Sequence, residues 1–246
     1  MKFSIITVNY NNNLFLEKTI LSVKSLLVDG FEVEYIIIDG GSTDGSIDTV
    51  LTYVSQGVIN NYVSESDSGI YDAMNKGIKI SSGDWLVFMN AGDLFASPDV
   101  LLSIYRVINE KTTTNLVYGD YISSKTLFNQ HLSINFLMSH MLNHQSIFYK
   151  KTLFSNQCYN LKYRFCADYE HLINNLRIID AQHVYKTICI YDDTGISSAD
   201  KNKFIMWLER LNAIWKSPNN YGIKIRLSLR GILALPYQYF RYLINK

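Results

Sequence analysis

Apolar runs that stop abruptly in polar loops, each followed by a segment of helical period, restrict the first hundred residues to alternating strands and helices. A run over 3–8 precedes a helical pattern over 14–27, and a run over 33–38 precedes one over 46–54. A weaker strand over 61–64 leads to a helix over 70–80. Residues 85–89 are apolar throughout, which suits a central strand buried on both faces. Ser97-Pro98-Asp99 then opens another helix, with the proline in its first turn. This order predicts an α/β fold with a Rossmann-like, mostly parallel central sheet flanked by helices. In the second half, strands are expected over 116–121, 146–149 and 183–191, with helices over 167–176 and 199–215, so the sheet there should be mixed.

The chain has 246 residues, 48% of them hydrophobic, enough for one substantial core. Its net charge of +1 hides an asymmetry. Seven of the 23 Lys and Arg and none of the 22 Asp and Glu fall in 210–246, so that stretch carries +7 and the rest −6. The expected organisation is one domain over 1–215, in two halves over 1–99 and 100–215, and a basic aromatic C-terminal tail over 216–246. Residues 221–246 alternate basic and apolar positions with Pro236 as a break, and read as a surface-lying helical segment. An anionic membrane is favoured over nucleic acid as the partner of this tail. A solvated helix or a tail packed on the protein would show the same composition.

Cys158, Cys166 and Cys189 have no paired spacing of the zinc-site kind, and a reducing cytosol fits them. The short apolar start reads as a strand, and no apolar stretch of about 20 residues exists to span a bilayer.

Ligands of open parallel sheets bind beyond the carboxyl ends of the strands, so the polar residues after each run are the first candidates. Thr7-Val8-Asn9-Tyr10-Asn11 ends its strand in hydroxyl, amide and phenol groups able to hold a base or ribose. A polar loop leading into the next helix would look alike. In Asp39-Gly40-Gly41-Ser42-Thr43-Asp44-Gly45-Ser46 the glycines permit close backbone approach, Asp39 can accept from a base or ribose, and Asp44 can cap the next helix. Its acids repel phosphate, unlike a basic phosphate cradle. In Asn90-Ala91-Gly92-Asp93 a carboxylate at the tip of a buried strand is placed to hold a divalent cation, and such a cation eases departure of a diphosphate. An acid in the turn before Ser97-Pro98 is the plainer reading of Asp93.

These loops resemble those of glycosyltransferase family 2 with the GT-A fold. The stretch Ser64-Glu65-Ser66-Asp67-Ser68-Gly69-Ile70-Tyr71-Asp72-Ala73-Met74-Asn75-Lys76-Gly77 is similar to a signature of the branch that includes colanic acid and other exopolysaccharide transferases. Further echoes are His144-Gln145-Ser146-Ile147-Phe148, Ala167-Asp168-Tyr169-Glu170 and Thr194-Gly195-Ile196-Ser197, so the likeness spans roughly residues 3–198.

The resemblance implies an inverting transfer from a nucleotide diphosphate sugar to a hydroxyl of an oligosaccharide or polyprenyl-linked intermediate of a bacterial surface polysaccharide. It further implies Mg or Mn as the cofactor, and a cytoplasmic protein that can lie peripherally on the inner face of the plasma membrane. It makes 1–215 the catalytic domain, with the nucleotide sugar bound by the 1–99 half and the acceptor and base in the 100–215 half; the donor-binding set it implies is Thr7, Asn9, Tyr10, Asp39, Ser42, Asp67, Lys76, Asn90 and Ala91, with Asp93 on the metal. Asp168 is the expected general base, because an attacking hydroxyl must lose its proton and one carboxylate suffices for inversion. Glu170, two positions on, would face away on a helix. His144, Tyr169, Gly195 and Ser197 are expected to line the acceptor or form a lid.

The chain departs from the family turn, which is Asp-x-Asp or Asp-x-Asp-Asp. Asn90 and Gly92 stand where acids are usual, and Met74 stands where many relatives carry arginine. Two rival functions share parts of this pattern. A nucleotidyltransferase usually carries a glycine-rich basic loop after its first strand, and Asn9-Tyr10-Asn11-Asn12-Asn13 contains neither glycine nor cation. A catalytically decayed glycan-binding or scaffold protein of the same fold would fit the depleted acidic turn.

Overall fold

The apolar runs become strands whose two faces are buried in different cores. In the computed structural model, which describes residues 1–27, 30–193 and 200–244, β1 (Lys2–Asn9), β2 (Glu32–Asp39) and β4 (Trp85–Phe88) lie side by side, with β1 in the middle. Ile6, Val8, Ile36, Ile38, Leu86 and Phe88 point into one core, together with α3 (Ile70–Ile80) and α6 (Ala167–Asn175). Phe3, Ile5, Tyr35, Ile37, Trp85 and Val87 point into the other, under α1 (Asn13–Lys24), α2 (Ser46–Ser55) and α4 (Val100–Glu110). Successive strand side chains alternate between faces, so a run apolar at every position needs a hydrophobic layer on both sides. Each such side chain taken fully out of water contributes roughly 1.5–3 kcal/mol.

The sheet order is β3-β2-β1-β4-β8-β6-β9-β5, with β7 (Thr126–Phe128) forming a hairpin on β6 (Leu116–Ser123). Strands β3 (Asn61–Ser64), β2, β1 and β4 are parallel. Beyond β4 the sheet is mixed, as expected. β8 (Ile147–Lys150) is antiparallel to both β4 and β6, β9 (Ala181–Tyr191) is parallel to β6, and β5 (Leu94–Phe95) closes the edge antiparallel to β9. The two halves of the chain therefore share one sheet.

Two local expectations need correction. Pro98 lies in the turn before α4, whose N-cap is Asp99, so the proline precedes the first helical turn instead of occupying it. Pro236 does not end the tail. Residues Tyr221–Ile244 form one helix, α8, which continues through the proline. α8 packs against α7 (Asp200–Lys216) and the short α5 (Ile134–Leu137), and it buries Leu227 and Ser228. Its other face leaves Ile225, Leu229, Ile232, Leu233 and Tyr237 exposed, a spacing that draws one stripe along a helix. No helix among the described residues is long and apolar enough to cross a membrane. The three cysteines are unpaired.

Candidate functional site

The carboxyl ends of β3, β2, β1 and β4 form one rim, and the parallel register sets Asn9 beside Asp39 and Asp39 beside Ser64. Asp39 has no exposed surface, and its carboxylate organises the rim. Oδ1 accepts from Asn9 Nδ2 at 2.8 Å and Ser42 Oγ at 2.6 Å. Oδ2 accepts from the amides of Gly41 at 3.1 Å and Ser42 at 2.8 Å and from Ser64 Oγ at 2.9 Å. Burial raises the cost of its charge, but the Ser42, Asn9 and Ser64 donors outweigh it and hold the carboxyl below its ordinary pKa. With both oxygens this fully engaged, Asp39 holds the loop in shape, and the groups facing outward are its neighbours. Tyr10 is 66% exposed. A Cβ on Gly40 would meet Asp67 Oδ2 at 2.6 Å and Tyr10 Cδ2 at 3.2 Å, so a bare glycine backbone lets the phenol ring and the Asp67 carboxylate converge there. Asp44 accepts from Ser46 N at the start of α2 and from Asn13 N at the start of α1, which fastens both helices to this loop.

Next along the rim, the turn after β4 is braced from α1. Thr19 Oγ1 donates to the Asp93 carbonyl at 2.9 Å and receives the Gly92 amide at 3.0 Å, while the Ala91 carbonyl accepts from Asn12 Nδ2 at 3.1 Å. The Asp93 side chain is 3% exposed. Its oxygens accept from Gln145 Nε2 at 2.7 Å and from the Asp192 amide at 2.9 Å. Burial is the dominant influence and pushes its carboxyl up to about 6.

Because β8 runs antiparallel to β4, the 3-10 turn His144–Ser146 that precedes β8 returns to the same rim. There Asn90 Nδ2 lies 3.2 Å from His144 Nε2, and His144 Nδ1 lies 3.1 Å from Asp168 Oδ2. Asp168 occupies the first turn of α6. Its Oδ1 also accepts from the Tyr71 hydroxyl at 2.8 Å and from the Tyr169 amide at 2.8 Å. Burial opposes its charge, yet His144, Tyr71 and the Tyr169 amide more than compensate and keep the carboxyl below its ordinary range. Asp168 is thus a buried carboxylate held in its charged form. Glu170 points elsewhere, into a nest of Asn174, Asn160 and Gln157 side chains.

Asn9, Tyr10, Asp39, Ser42, Asp67, Asn90, Ala91, Asp93, His144 and Asp168 therefore lie along one rim. Three expected site residues are taken up by structural bonds. Thr7 is fully buried and donates to the Met89 carbonyl at 2.7 Å, so it ties β1 to the end of β4 beneath the surface. Lys76 pairs with Glu65 at 2.9 Å and donates to the Ser66 carbonyl at 2.9 Å, which commits its charge to the loop that carries Asp67. Tyr169 is buried under Arg210, and its hydroxyl donates to the Leu137 carbonyl, so it holds α5 and lines no acceptor surface. Gly195 and Ser197 lie outside the described residues. Tyr71, Gln145 and Thr19 have places at the site that the sequence reading did not assign. Tyr71 and Gln145 stand inside motifs singled out there, whereas no local signal marks Thr19.

Among the described residues no group of three His, Cys, Asp or Glu converges on a point that could hold a metal ion. Hard oxygen donors are nevertheless present. The amide oxygens Gln145 Oε1 and Asn90 Oδ1 are buried without a hydrogen-bond partner. Such orphaned acceptors beside a carboxylate suit a hard cation that also binds a diphosphate.

The family model for Glycosyl transferase family 2 matches residues 4–169. A PGL/p-HBAD biosynthesis glycosyltransferase of Mycobacterium bovis (strain BCG / Pasteur 1173P2) is 31% identical over 204 residues, covering 78% of this chain and 77% of that protein. Among solved structures, S. aureus TarS 1-349 superposes with a TM-score of 0.73 at 13% identity, over 98% of this chain and 72% of that one. The mannosyltransferase PcManGT from Pyrobaculum calidifontis, in complex with GDP-Man and Mn2+, superposes with a TM-score of 0.74 at 15% identity, over 97% and 73%. At those identities the two superpositions show a shared GT-A fold.

Proposed function

The chain belongs to glycosyl transferase family 2 and is a glycosyltransferase, and from that premise we propose that it moves a sugar with inversion from a nucleoside diphosphate to an acceptor hydroxyl, with Asp168 as the general base. One observation carries the reading. Asp168 is buried yet kept ionised by Tyr71, the Tyr169 amide and His144, on the same rim as the Asp39 loop. A charged carboxylate in that place can take the proton of an attacking alcohol. Inversion needs no second, nucleophilic carboxylate, and Glu170 is engaged away from the rim.

Tyr10, Gly40 and Asp67 are assigned to the nucleoside, with Asn9, Asp39 and Ser42 holding that surface in shape. The donor is a nucleoside diphosphate sugar, the class of ligand bound in the TarS complex with UDP-GlcNAc and the PcManGT complex with GDP-Man. Mg or Mn is assigned to Asp93, where it would neutralise charge on the departing diphosphate. His144 orients Asp168 and lies beside Asn90.

The acceptor is assigned to a lipid-linked intermediate of a surface polysaccharide. In support, the outer face of α8 is apolar and lies in the segment that carries +7. An amphipathic basic helix of that kind rests on an anionic lipid surface and would bring the rim to a membrane-borne acceptor.

The test is Asp168→Asn in the full chain, assayed with a panel of nucleotide sugars. Turnover should fall by about 10²–10⁴-fold, while UDP or GDP affinity, measured by calorimetry, stays within a factor of two or so. Retained turnover would remove Asp168 as the base. Neither transfer nor hydrolysis of any nucleotide sugar by the parent chain would favour a decayed site.

A further inference from the structure

The turn after β4 has one acid where relatives carry two or three, and the fold supplies another from a distant part of the chain. β5 and β9 are antiparallel, with Leu94 opposite Ile190 and Phe95 opposite Cys189. Carried two residues further, that register sets Gly92 across from Asp192. The side chains agree with this. A Cβ placed on Gly92 would stand 3.0 Å from Asp192 Oδ2 and 3.5 Å from Asp192 Cβ. The Asp192 carboxylate therefore fills the space that an acidic side chain at position 92 would enter. Gly92, at φ +114°, lacks the side chain that would compete for it.

A second observation points to a ligand at this spot. Gln145 is 2% exposed, and its Nε2 is fixed on Asp93 Oδ2 at 2.7 Å. Its Oε1, on the same amide, is buried with no partner. An unmet buried acceptor costs about 1–3 kcal/mol, and beside the Asp93 carboxylate it calls for a positive partner.

We propose that Asp192 is the second carboxylate of the divalent-cation site, replacing from the end of β9 the acid absent at position 92. The ligand class is Mg or Mn bound together with a nucleoside diphosphate. This rests on the cation assigned to Asp93 above and extends it to a residue outside every motif of the turn. The site has two anionic oxygen ligands from the protein and an amide oxygen at hand, and the diphosphate completes the shell.

The experiment is titration of Mn2+ into the full chain, followed by electron paramagnetic resonance of free Mn2+, with saturating UDP in one series and GDP in another. Asp192→Asn keeps the backbone amide and the side-chain volume and removes only the charge. It should weaken Mn2+ binding about tenfold or more, with nucleotide affinity in EDTA unchanged. Asp93→Asn is the comparison, and it should weaken Mn2+ binding at least as much. Mn2+ affinity unchanged in Asp192→Asn but lost in Asp93→Asn overturns the role of Asp192 and leaves the proposed function intact. A parent chain that binds nucleotide but no Mn2+ overturns the cation site altogether, while turnover in EDTA still decides the transfer reaction. Should circular dichroism show Asp192→Asn unfolded, Asp192→Ser is measured in its place, and parental Mn2+ affinity in that variant overturns the proposal.

Discussion

His144 and Asp168 are joined by a 3.1 Å contact from ring Nδ1 to carboxylate Oδ2, and the other ring nitrogen faces the amide nitrogen of Asn90. The carboxylate is held at Oδ2 by His144 and from below, at Oδ1, by Tyr71.

Removing the lower support should show in the pH profile. In Tyr71→Phe, Asp168 loses one of the donors that depress its pKa, so its carboxyl rises and the acid limb of kcat against pH moves to higher pH. The variant should also lose about 1–2 kcal/mol of stability with the buried hydrogen bond. An acid limb at its parental position, with turnover otherwise measurable, would show that Tyr71 does not tune the base.

The nucleoside loop has a steric test. Gly40→Ala would put a methyl group 2.6 Å from Asp67 Oδ2 and 3.2 Å from the Tyr10 ring, so both must retreat. Nucleotide affinity by calorimetry should fall about tenfold, equivalent to about 1.4 kcal/mol. The far-UV spectrum should not change. Parental affinity would place the nucleoside elsewhere on the rim.

Acid should weaken the fold through His171, whose pKa is lowered from 6.5 to about 4. Burial is the main cause, and the bond to the Leu153 carbonyl opposes it. Between those values the unfolded chain binds the proton and the folded chain does not, so stability falls as pH drops from 6.5 towards 4. His171 accounts for roughly 3 kcal/mol of that loss. Urea melts across this window should show a flatter acid slope for His171→Gln than for the parent; equal slopes would refute the assignment.

The outer face of α8 can be tested without disturbing the face that packs. Deleting the tail would uncover the pocket around Leu227, whereas Ile225, Leu229 and Leu233 are exposed. Replacing these three with serine should reduce sedimentation with anionic vesicles by about tenfold or more and leave the melting temperature unchanged. Binding by the parent should weaken with salt and be lower on neutral vesicles. Equal binding by parent and variant would remove the membrane from the account.

Much of the first half was legible because it is written in short-range pattern. β3 and α3 fall on the bounds read from the sequence, Asn61–Ser64 and Ile70–Ile80, and the polar ends of β1, β2 and β4 meet at one rim as the parallel order requires. Periodicity of this kind depends on neighbours a few positions apart, and it decides which face is buried whatever lies beyond. Pro236 marks the opposite case. A local rule predicted a break, yet α8 continues through the proline, with its inner face packed on α7 and α5.

The amino-acid order alone determined the alternation of strands and helices, the central β4 and the loops where chemistry would collect. Only the tertiary structure decided that Thr7 and Tyr169 turn inward to structural bonds, that Lys76 is held by Glu65 and the Ser66 carbonyl, and that Tyr71, Gln145 and Asp192 join the rim. The physical reason is register. Asp93 and Asp192 are 99 residues apart, and their meeting depends on which strands pair and at what offset. That offset is set by the packing of the whole sheet, and no local pattern around either residue encodes it.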